Sequence, residues 1–170
     1  QTVLHLEPTA KLKWHFGDSD RVLNKQVICT MFGDLLQILK AERVALNFLT
    51  HLSGIATLTS KFVQEIDGTA TTLLDTRKTT PGLRQLEKKA VLHCGGKNHR
   101  LNLSTAIMIK DNHIAAAGSV TRAILLVKKH RQQNKIKKLG VEVTTLEEFR
   151  EALPHQPDYI LLDNMTLKAM

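Results

Sequence analysis

The sequence predicts an α/β protein built largely around a parallel sheet. Four short apolar runs have the length and apolar density of buried strands, and each reaches a charged residue at or near its end; the runs cover residues 71–74, 106–109, 139–143 and 159–162. Segments with helical spacing of apolar residues follow the first three runs. A strand, a loop and a helix that recur in this order predict βα units, whose strands lie parallel in one sheet.

The first third of the chain predicts an α/β layer of its own. Short apolar runs separated by Gly-Asp and Asn-Lys turn signals predict strands of a small sheet over residues 3–31. Leucine and valine at helical spacing then predict a helix over residues 33–51. The pair Ser53-Gly54 predicts the end of that helix, and a second helix is expected over residues 56–66.

The rest of the chain predicts a helix after each strand. The helix after the first strand is expected to stop at Gly95-Gly96, because glycine is favoured just beyond helix C-termini. The strand that ends at Lys110 is expected to lead through a loop to a helix from Ser119. Thr145 and Glu148 have the spacing of a capping box, which predicts the start of one more short helix.

Cationic side chains collect where the predicted strands end. The C-terminal ends of parallel strands meet at one edge, and catalytic groups gather there in α/β folds. Arg77 and Lys78 follow the first strand and offer a guanidinium fork and an ammonium group to a carboxylate or a phosphate. His99-Arg100 can hold a carboxylate, and Lys110 is expected on the same face. The pattern favours an anion-binding site over a merely solvated loop.

Glu142 and Asp163 are single acids at the ends of two apolar strands, where burial without a partner is costly. Three roles are open for them: ion pairs with Lys78 and Lys110, ligation of a hard cation such as Mg²⁺, and stabilisation of a cationic transition state. Cations and acids clustered on one face are more typical of a functional site than of scaffolding.

The charge of the chain indicates an anionic partner. The formal net charge is +8 at pH 7, and the isoelectric point is near 9.7. Nucleic acid, a phosphorylated metabolite and a polycarboxylate all fit this charge, but aromatic residues make up only 4%, which disfavours nucleic acid. No apolar stretch approaches the roughly 20 residues that span a bilayer. No nucleic-acid or membrane partner is therefore expected, and the absence of a signal pattern predicts a cytoplasmic protein.

Several motifs, in this order, resemble those of the quinolinate phosphoribosyltransferases, the carboxylating nicotinate-nucleotide pyrophosphorylases of NAD biosynthesis. They are AERVALN (residues 41–47), LSGIAT (52–57), DTRKTTPGLR (75–84), NHRL (98–101), IKDNH (109–113) and LLDN (161–164). The resemblance implies a small N-terminal α/β sandwich domain, here residues 1–52, and part of an incomplete, seven-stranded α/β barrel, here residues 53–170. Because the chain stops at Met170 just after a strand, we expect the remaining barrel strands and their phosphate-binding ends to lie outside it.

The resemblance also implies a reaction and the roles of individual residues. Quinolinate and phosphoribosyl pyrophosphate (PRPP) would give nicotinate mononucleotide, pyrophosphate and CO2 with Mg²⁺ as cofactor. The substrate-binding residues would be Arg43, Thr76, Arg77, His99, Arg100 and Lys110. The catalytic residues would be Lys78, Lys110, Glu142 and Asp163, of which the two acids would bind Mg²⁺ directly or through PRPP. In the family, the arginine at the position of Arg43 reaches the site of the neighbouring subunit, which implies a homodimer or a higher homo-oligomer.

Two alternatives stay open on the sequence. A pyridine or molybdenum-linked phosphoribosyltransferase of the same fold shares the strand-end cations and differs in whether it recognises a second ring carboxylate. A basic nucleic-acid-binding module is the alternative from another class. Two positions depart from the family pattern: Lys97 stands where a third glycine often precedes the Asn-His-Arg motif, and Gly140 stands where many members have an acid two residues before the glutamate.

Overall fold

The computed structural model describes residues 1–102, 106–134 and 138–170 and belongs to the mixed α/β class, as predicted. The chain divides into two compact units, Gln1–His99 and Arg100–Met170. The first unit contains α1 (Thr2–Leu6), β1 (Lys11–Trp14), β2 (Cys29–Phe32), α2 (Leu35–Glu65) and α3 (Arg84–His93). The domain boundary expected between residues 52 and 53 lies within α2 and stays a prediction.

The N-terminal sheet is a two-stranded antiparallel ribbon of β1 and β2. The prediction of strands over residues 3–31 is therefore right for these two segments, but it is wrong for Thr2–Leu6, which is helical. One turn of helix lets Val3 pack against Ala10 and Ala41 in a small apolar core. Burial of this valine thus outweighs its preference for extended backbone.

Helix α2 runs without interruption over Leu35–Glu65, so the break predicted at Ser53-Gly54 is wrong. The side chain of Asp34 caps its N-terminus by accepting a hydrogen bond from Gln37 N at 3.0 Å. Thr57 Oγ1 donates to the carbonyl of Ser53 at 2.7 Å, which satisfies the hydroxyl within the helix. A glycine costs about 1 kcal/mol relative to alanine in a helix, and a 31-residue helix tolerates that cost.

The apolar run at residues 71–74 forms a single parallel bridge, between Leu74 and Lys97, and the prediction of a full strand there is wrong. Lys97 N donates to Leu73 O at 2.8 Å, and Asp75 N donates to Lys97 O at 3.0 Å. The pairing is limited to one bridge because, among the described residues, these bonds join the run only to the segment at Lys97. The bridge nevertheless fixes the point at which the Arg77-Lys78 loop begins.

Helix α3 ends at His93 and Gly95 adopts a φ of +87°, which confirms the predicted stop. The left-handed region costs glycine little because it has no Cβ. The next residue, Gly96, lies so close to Val91 that a Cβ would come within 2.6 Å of the valine side chain. Both glycines therefore allow the chain to turn tightly back towards Leu74.

The second unit is built on three parallel strands in the order β3-β4-β5, which confirms the parallel arrangement predicted for the last three apolar runs. Its elements are β3 (Ile107–Ile109), α4 (Asp111–Ala117), α5 (Val120–Asn134), β4 (Leu139–Val143), α6 (Leu146–Ala152), a 3-10 turn (Leu153–His155) and β5 (Tyr159–Leu162). Thr145 caps α6 as predicted, by accepting from Glu148 N at 3.1 Å. Helix α4 stands where a loop was expected; Gly118, at φ +88°, is the C-cap that signals it.

The sheet of the second unit has two chemically different faces. Alternate residues of its strands pack against α5 and α6 in an apolar core: Ile109, Val120, Ala123, Ile124, Leu139, Val141, Val143 and Ala152. By strand alternation the opposite face carries Met108, Lys110, Glu142 and Tyr159. The predicted site residues of this unit thus lie on the face that these helices leave open.

No helix within the described residues combines the length and apolar character of a bilayer-spanning segment.

Candidate active site

Lys110 and Glu142 form an ion pair at the C-terminal ends of β3 and β4. Ile109 lies opposite Val141 in the parallel register, so the next residue of each strand lies side by side with the other. Lys110 Nζ is 2.7 Å from Glu142 Oε1 and 2.8 Å from Oε2. The side chains are 42% and 18% exposed, respectively. The ammonium group is thus accessible to a ligand while its charge is balanced by a half-buried carboxylate.

The start of α4 orients the backbone of Lys110. His113 Nδ1 accepts a hydrogen bond from Lys110 N at 3.0 Å, and His113 N donates back to Lys110 O at 2.8 Å. The imidazole therefore gives this amide, at the end of β3, an acceptor within the first turn of α4. His113 was not predicted to take part, although its position three residues after Lys110 is the spacing of such a reciprocal contact.

Arg100 lies over the open face of the sheet. Its Nη1 donates to Ala106 O at 3.2 Å, and its Nη2 approaches Met108 Sδ at 3.6 Å. These contacts orient the guanidinium and still leave donors for another group, because an arginine has five N–H bonds. The position beside Met108 puts Arg100 on the same face as Lys110.

Gly140 makes room for the ring of Tyr159. The two residues are partners in the register of β4 and β5, and a Cβ at position 140 would lie 2.3 Å from the tyrosine ring. Burial raises the pKa of Tyr159, and the nearby charge of Arg100 opposes that rise. The departure from the family pattern at position 140 thus has a local explanation: an aromatic ring covers the space that a side chain would fill.

Asp163 follows β5 directly. Its backbone N donates to Val143 O at 2.8 Å, which extends the sheet by one hydrogen bond. Its Oδ2 accepts from Asn164 Nδ2 at 3.3 Å. The carboxylate is half-buried at the same edge of the sheet as Glu142. Two acids at neighbouring strand ends are thus present, as predicted.

The loop that carries Arg77 and Lys78 belongs to the first unit and is held by Arg84. Arg84 Nε donates to Thr79 Oγ1 at 3.1 Å, and its Nη2 donates to Arg77 O at 3.3 Å. Thr76 Oγ1 accepts from Lys78 N at 3.0 Å. Lys78 is exposed, whereas Arg77 Nε is buried and has no hydrogen-bond partner in the described parts of the chain. A buried donor without an acceptor is costly, and a bound anion would satisfy it.

Asp75 links this loop to the turn before His99. Its Oδ1 lies 2.5 Å from Lys88 Nζ in a buried ion pair and accepts from His99 N at 2.8 Å. With the nitrogen of its amide facing acceptors, Asn98 donates to Asp75 Oδ2 at 2.5 Å and to Lys88 O at 3.0 Å. Asp75 is therefore engaged as a structural anchor, and it fixes the backbone at His99.

The predicted site residues divide between the two units. The first unit contains Arg43, Thr76, Arg77, Lys78 and His99, and the second contains Arg100, Lys110, Glu142 and Asp163. Arg43 is exposed on α2, where the apolar side chains of Leu39, Val44 and Leu46 are also exposed. Within each unit, the strand-end and loop residues lie on the segments that the sequence indicated.

Sequence reasoning missed the side chains that support the loop. Arg84, Glu87 and Lys88 of α3 have the spacing i, i+3 and i+4, so they share one face of the helix. Each contacts the segment that precedes the helix. Three ionisable residues at this spacing, directly after a predicted ligand loop, are the signal that would have identified them.

A magnesium ion would need ligands in addition to those that the described residues bring together. The described residues contain no group of three or more histidine, cysteine, aspartate or glutamate side chains that could hold a metal ion. Glu142 and Asp163 supply hard carboxylate oxygens, which suit Mg²⁺. Such a pair fits an ion that is bound jointly with the phosphate oxygens of a substrate, which is the usual way proteins bind Mg²⁺.

Two family models match the chain along almost its whole length. Residues 1–53 match the N-terminal domain of quinolinate phosphoribosyl transferase, and residues 55–170 match its C-terminal domain. The chain belongs to the quinolinate phosphoribosyltransferase family. This confirms the resemblance on which the site residues were assigned.

The curated relatives of this chain have names that belong to the family. The probable nicotinate-nucleotide pyrophosphorylase (carboxylating) of Synechocystis is 47% identical over 167 residues, which are 97% of this chain and 55% of the relative. The mitochondrial quinolinate phosphoribosyltransferase (decarboxylating) 2b of Nicotiana tabacum is 43% identical over 170 residues, 95% of this chain and 48% of the relative. The chain thus spans about half the length of the curated relatives it matches.

Solved structures of the family share the fold of this chain. NadC from Streptococcus pyogenes superposes with a TM-score of 0.89 at 43% identity, over 98% of this chain and 58% of that one. The nicotinate-nucleotide pyrophosphorylase from Francisella tularensis gives a TM-score of 0.88 at 39% identity, over 97% and 58%. The α/β fold of the chain is therefore that of the matching part of these proteins.

Proposed function

We propose that the full-length protein transfers the phosphoribosyl group of PRPP to quinolinate in the de novo synthesis of NAD. The pyridine nitrogen attacks C1 of the ribose, and the bond from C1 to the pyrophosphate oxygen breaks. The bond from ring carbon 2 to its carboxylate then breaks to release CO2, and the electron pair left on carbon 2 takes up a proton. The products are nicotinate mononucleotide, pyrophosphate and CO2. The observation that carries this proposal is the match to both domains of the family over residues 1–53 and 55–170.

The proposed architecture is that of the family. A small N-terminal α/β sandwich would comprise residues 1–52, and residues 53–170 would form part of an incomplete, seven-stranded α/β barrel. The antiparallel β1–β2 ribbon and the parallel β3-β4-β5 sheet support this division, as do the structural neighbours.

The cations of the chain would hold the two carboxylates of quinolinate. Arg77, His99, Arg100 and Lys110 are the proposed binding residues, with Thr76 and the Arg43 of a neighbouring subunit completing the set. The buried and unpartnered Nε of Arg77 in the described structure supports this role. Two anionic substrates repel each other, so a site that brings them together needs several cations to offset that repulsion.

Lys78, Lys110, Glu142 and Asp163 would act at the reacting centre. The ribose develops positive charge at C1 as pyrophosphate departs, and carboxylates aimed at that carbon stabilise it. The ion pair of Glu142 with Lys110 supports this role, because it orients the carboxylate at the end of β4. Mg²⁺, held by Glu142 and Asp163 directly or through PRPP, would neutralise charge on the departing pyrophosphate.

We also propose a homodimer or higher homo-oligomer in which Arg43 enters the site of the neighbouring subunit. The exposure of Arg43 beside Leu39, Val44 and Leu46 on α2 supports an interface there, since exposed apolar clusters commonly mark contact surfaces.

A cytoplasmic location stays a prediction, to be checked by cell fractionation. The relatives' names support the quinolinate phosphoribosyltransferase reaction over a related pyridine or molybdenum-linked phosphoribosyltransferase and over a nucleic-acid-binding module.

Calorimetric titration of the full-length protein with quinolinate tests this function at Arg100. We expect Arg100→Ala to abolish quinolinate binding and to leave the thermal unfolding transition in place. We expect Arg100→Lys to bind weakly, because an ammonium group cannot reproduce the two parallel hydrogen bonds of a guanidinium. The matched control is Arg150→Ala, at an exposed arginine of α6. Unchanged affinity in Arg100→Ala would remove this residue from quinolinate recognition.

A further inference from the structure

Glu87 occupies the centre of the α3 face that holds the Arg77-Lys78 loop. Its Oε2 accepts from Thr80 N at 3.2 Å, and its Oε1 lies 2.8 Å from His51 Nε2. The two partners come from different segments, the loop before α3 and the middle of α2. One carboxylate therefore ties the end of the loop to a long and regular helix.

The surroundings of Glu87 keep it ionised. Its side chain is only 10% exposed, and burial by itself raises the pKa of the carboxyl group. The hydrogen bonds from His51 and Thr80 outweigh that effect, so the pKa lies below its ordinary value. At neutral pH the group is thus a charged acceptor for both of its partners.

The bond to Thr80 fixes one end of a short segment whose other end is also fixed. At the first end, Asp75 N donates to Lys97 O at 3.0 Å. At the second end, Thr80 N is held by Glu87, and Thr80 O accepts from Leu83 N at 3.0 Å. Arg77 and Lys78 lie between these points, so the position of each bond limits where their side chains can reach.

A carboxylate is an unfavourable group to place beside a site for anions. Its negative charge repels a carboxylate or phosphate ligand, and this repulsion is strongest where burial lowers the effective dielectric constant. A neutral side chain would hold the helix without that penalty. We therefore explain the charged side chain of Glu87 by its two hydrogen bonds, to Thr80 N and to His51, which together fix the position of the loop.

We propose that Glu87 is a positioning residue for the reaction: it sets the Arg77-Lys78 loop for substrate binding through its bond to Thr80 N, and His51 holds the carboxylate in that orientation. The proposal rests on the proposed function, because the loop matters for catalysis only if Arg77 and Lys78 contact substrate. It assigns a role to two residues that no motif of the sequence singled out.

The test uses steady-state kinetics of the full-length protein with Glu87→Gln. His51 and Thr80 bond to different oxygens of the Glu87 carboxylate. A glutamine in the same orientation has an acceptor oxygen at only one of these two positions, so it cannot accept from both partners as the carboxylate does. We expect kcat/KM for quinolinate to fall by about tenfold to a hundredfold, the effect of a small displacement of binding groups, with most of the loss in KM. The matched control is Glu65→Gln, the same change at an exposed residue of α2.

Variants of His51 separate positioning from a merely structural role. The His51 side chain is 43% exposed, so its replacement is expected to leave the protein folded. His51→Gln keeps a side-chain N–H donor and should retain kcat/KM close to that of the parent. His51→Leu removes the donor and should raise KM in the same direction as Glu87→Gln. A structural role alone would lower the melting temperature in these variants without changing KM at temperatures where they are folded.

The two proposals fail in different ways. A parent protein that neither binds nor consumes quinolinate contradicts the proposed function, and the role of Glu87 falls with it. A parent protein that turns over quinolinate, together with unchanged KM in both Glu87→Gln and His51→Leu, overturns the positioning role alone. If Glu87→Gln does not fold, His51→Leu still decides the question.

Discussion

The positive charge of Lys110 is balanced by Glu142, because both oxygens of that carboxylate accept from the ammonium group. A substrate carboxylate that approaches Lys110 therefore adds negative charge next to Glu142. The pairing holds the lysine in place, and it also holds the glutamate at the edge where the ribose would react. In the proposed mechanism, one pair of residues would thus couple binding to catalysis.

Removal of Glu142 should separate these two effects. We expect Glu142→Ala to lower kcat by on the order of 10² or more, as for loss of an electrostatic stabiliser of the transition state. Quinolinate affinity should be retained or should rise, since Lys110 then lacks its competing carboxylate. Single-turnover kinetics and calorimetry measure the two quantities, with Glu147→Ala at an exposed glutamate of α6 as control. Equal turnover in Glu142→Ala and the parent would exclude Glu142 from the mechanism.

At the scale of elements, α2 is proposed to perform two tasks at different points along its length. His51 contacts Glu87 of α3, which in turn holds the Arg77-Lys78 loop. Arg43, two turns earlier, is exposed among apolar side chains and is the residue proposed to cross to a neighbouring subunit. A single helix can serve both tasks because residues eight positions apart are separated by about 12 Å along its axis.

Co-expression of two inactive variants tests the crossing of Arg43. Differently tagged Arg43→Ala and Glu142→Ala subunits should each be nearly inactive alone. In a mixed dimer, one of the two sites would receive an intact Arg43 and an intact Glu142. Random pairing should then restore about a quarter of the parent activity, because half of the dimers are mixed and each has one complete site. No recovery in purified mixed dimers would show that Arg43 does not act across the interface.

The strand ends could be predicted from the sequence because the signal is local. An apolar run of four or five residues followed by a charge needs no knowledge of distant partners, and β4 and β5 match residues 139–143 and 159–162. The predicted break of α2 at Ser53-Gly54 was wrong because weak local helix breakers do not outweigh a long hydrogen-bonded helix.

The contacts that hold the Arg77-Lys78 loop could not be predicted in the same way. Glu87 contacts His51, which lies 36 residues earlier in the chain, and no local pattern encodes that contact. The tyrosine that covers Gly140 is likewise brought there by the register of two strands. Such contacts depend on how elements pack, whereas the sequence pattern indicates only that the elements exist.

At the scale of the whole molecule, the positive charge of the chain suits the substrates proposed for it. Its net charge of +8 is counted over 170 residues that correspond to about half of each curated relative. Quinolinate carries two carboxylates and PRPP several phosphates, and a cationic site attracts both. Quinolinate is distinguished from the substrate of the same-fold alternative by its second ring carboxylate, which nicotinate lacks.

Turnover of quinolinate against nicotinate tests the central claim most directly. The full-length protein is supplied with PRPP, Mg²⁺ and one of the two acids, and nicotinate mononucleotide and CO2 are quantified together. We expect quinolinate to give both products in equal amounts, and nicotinate to react with a kcat/KM lower by on the order of 10⁴, because cations placed for the second carboxylate would be left unpaired. Equal turnover of nicotinate, or nicotinate mononucleotide formed from quinolinate without CO2, would contradict the assignment.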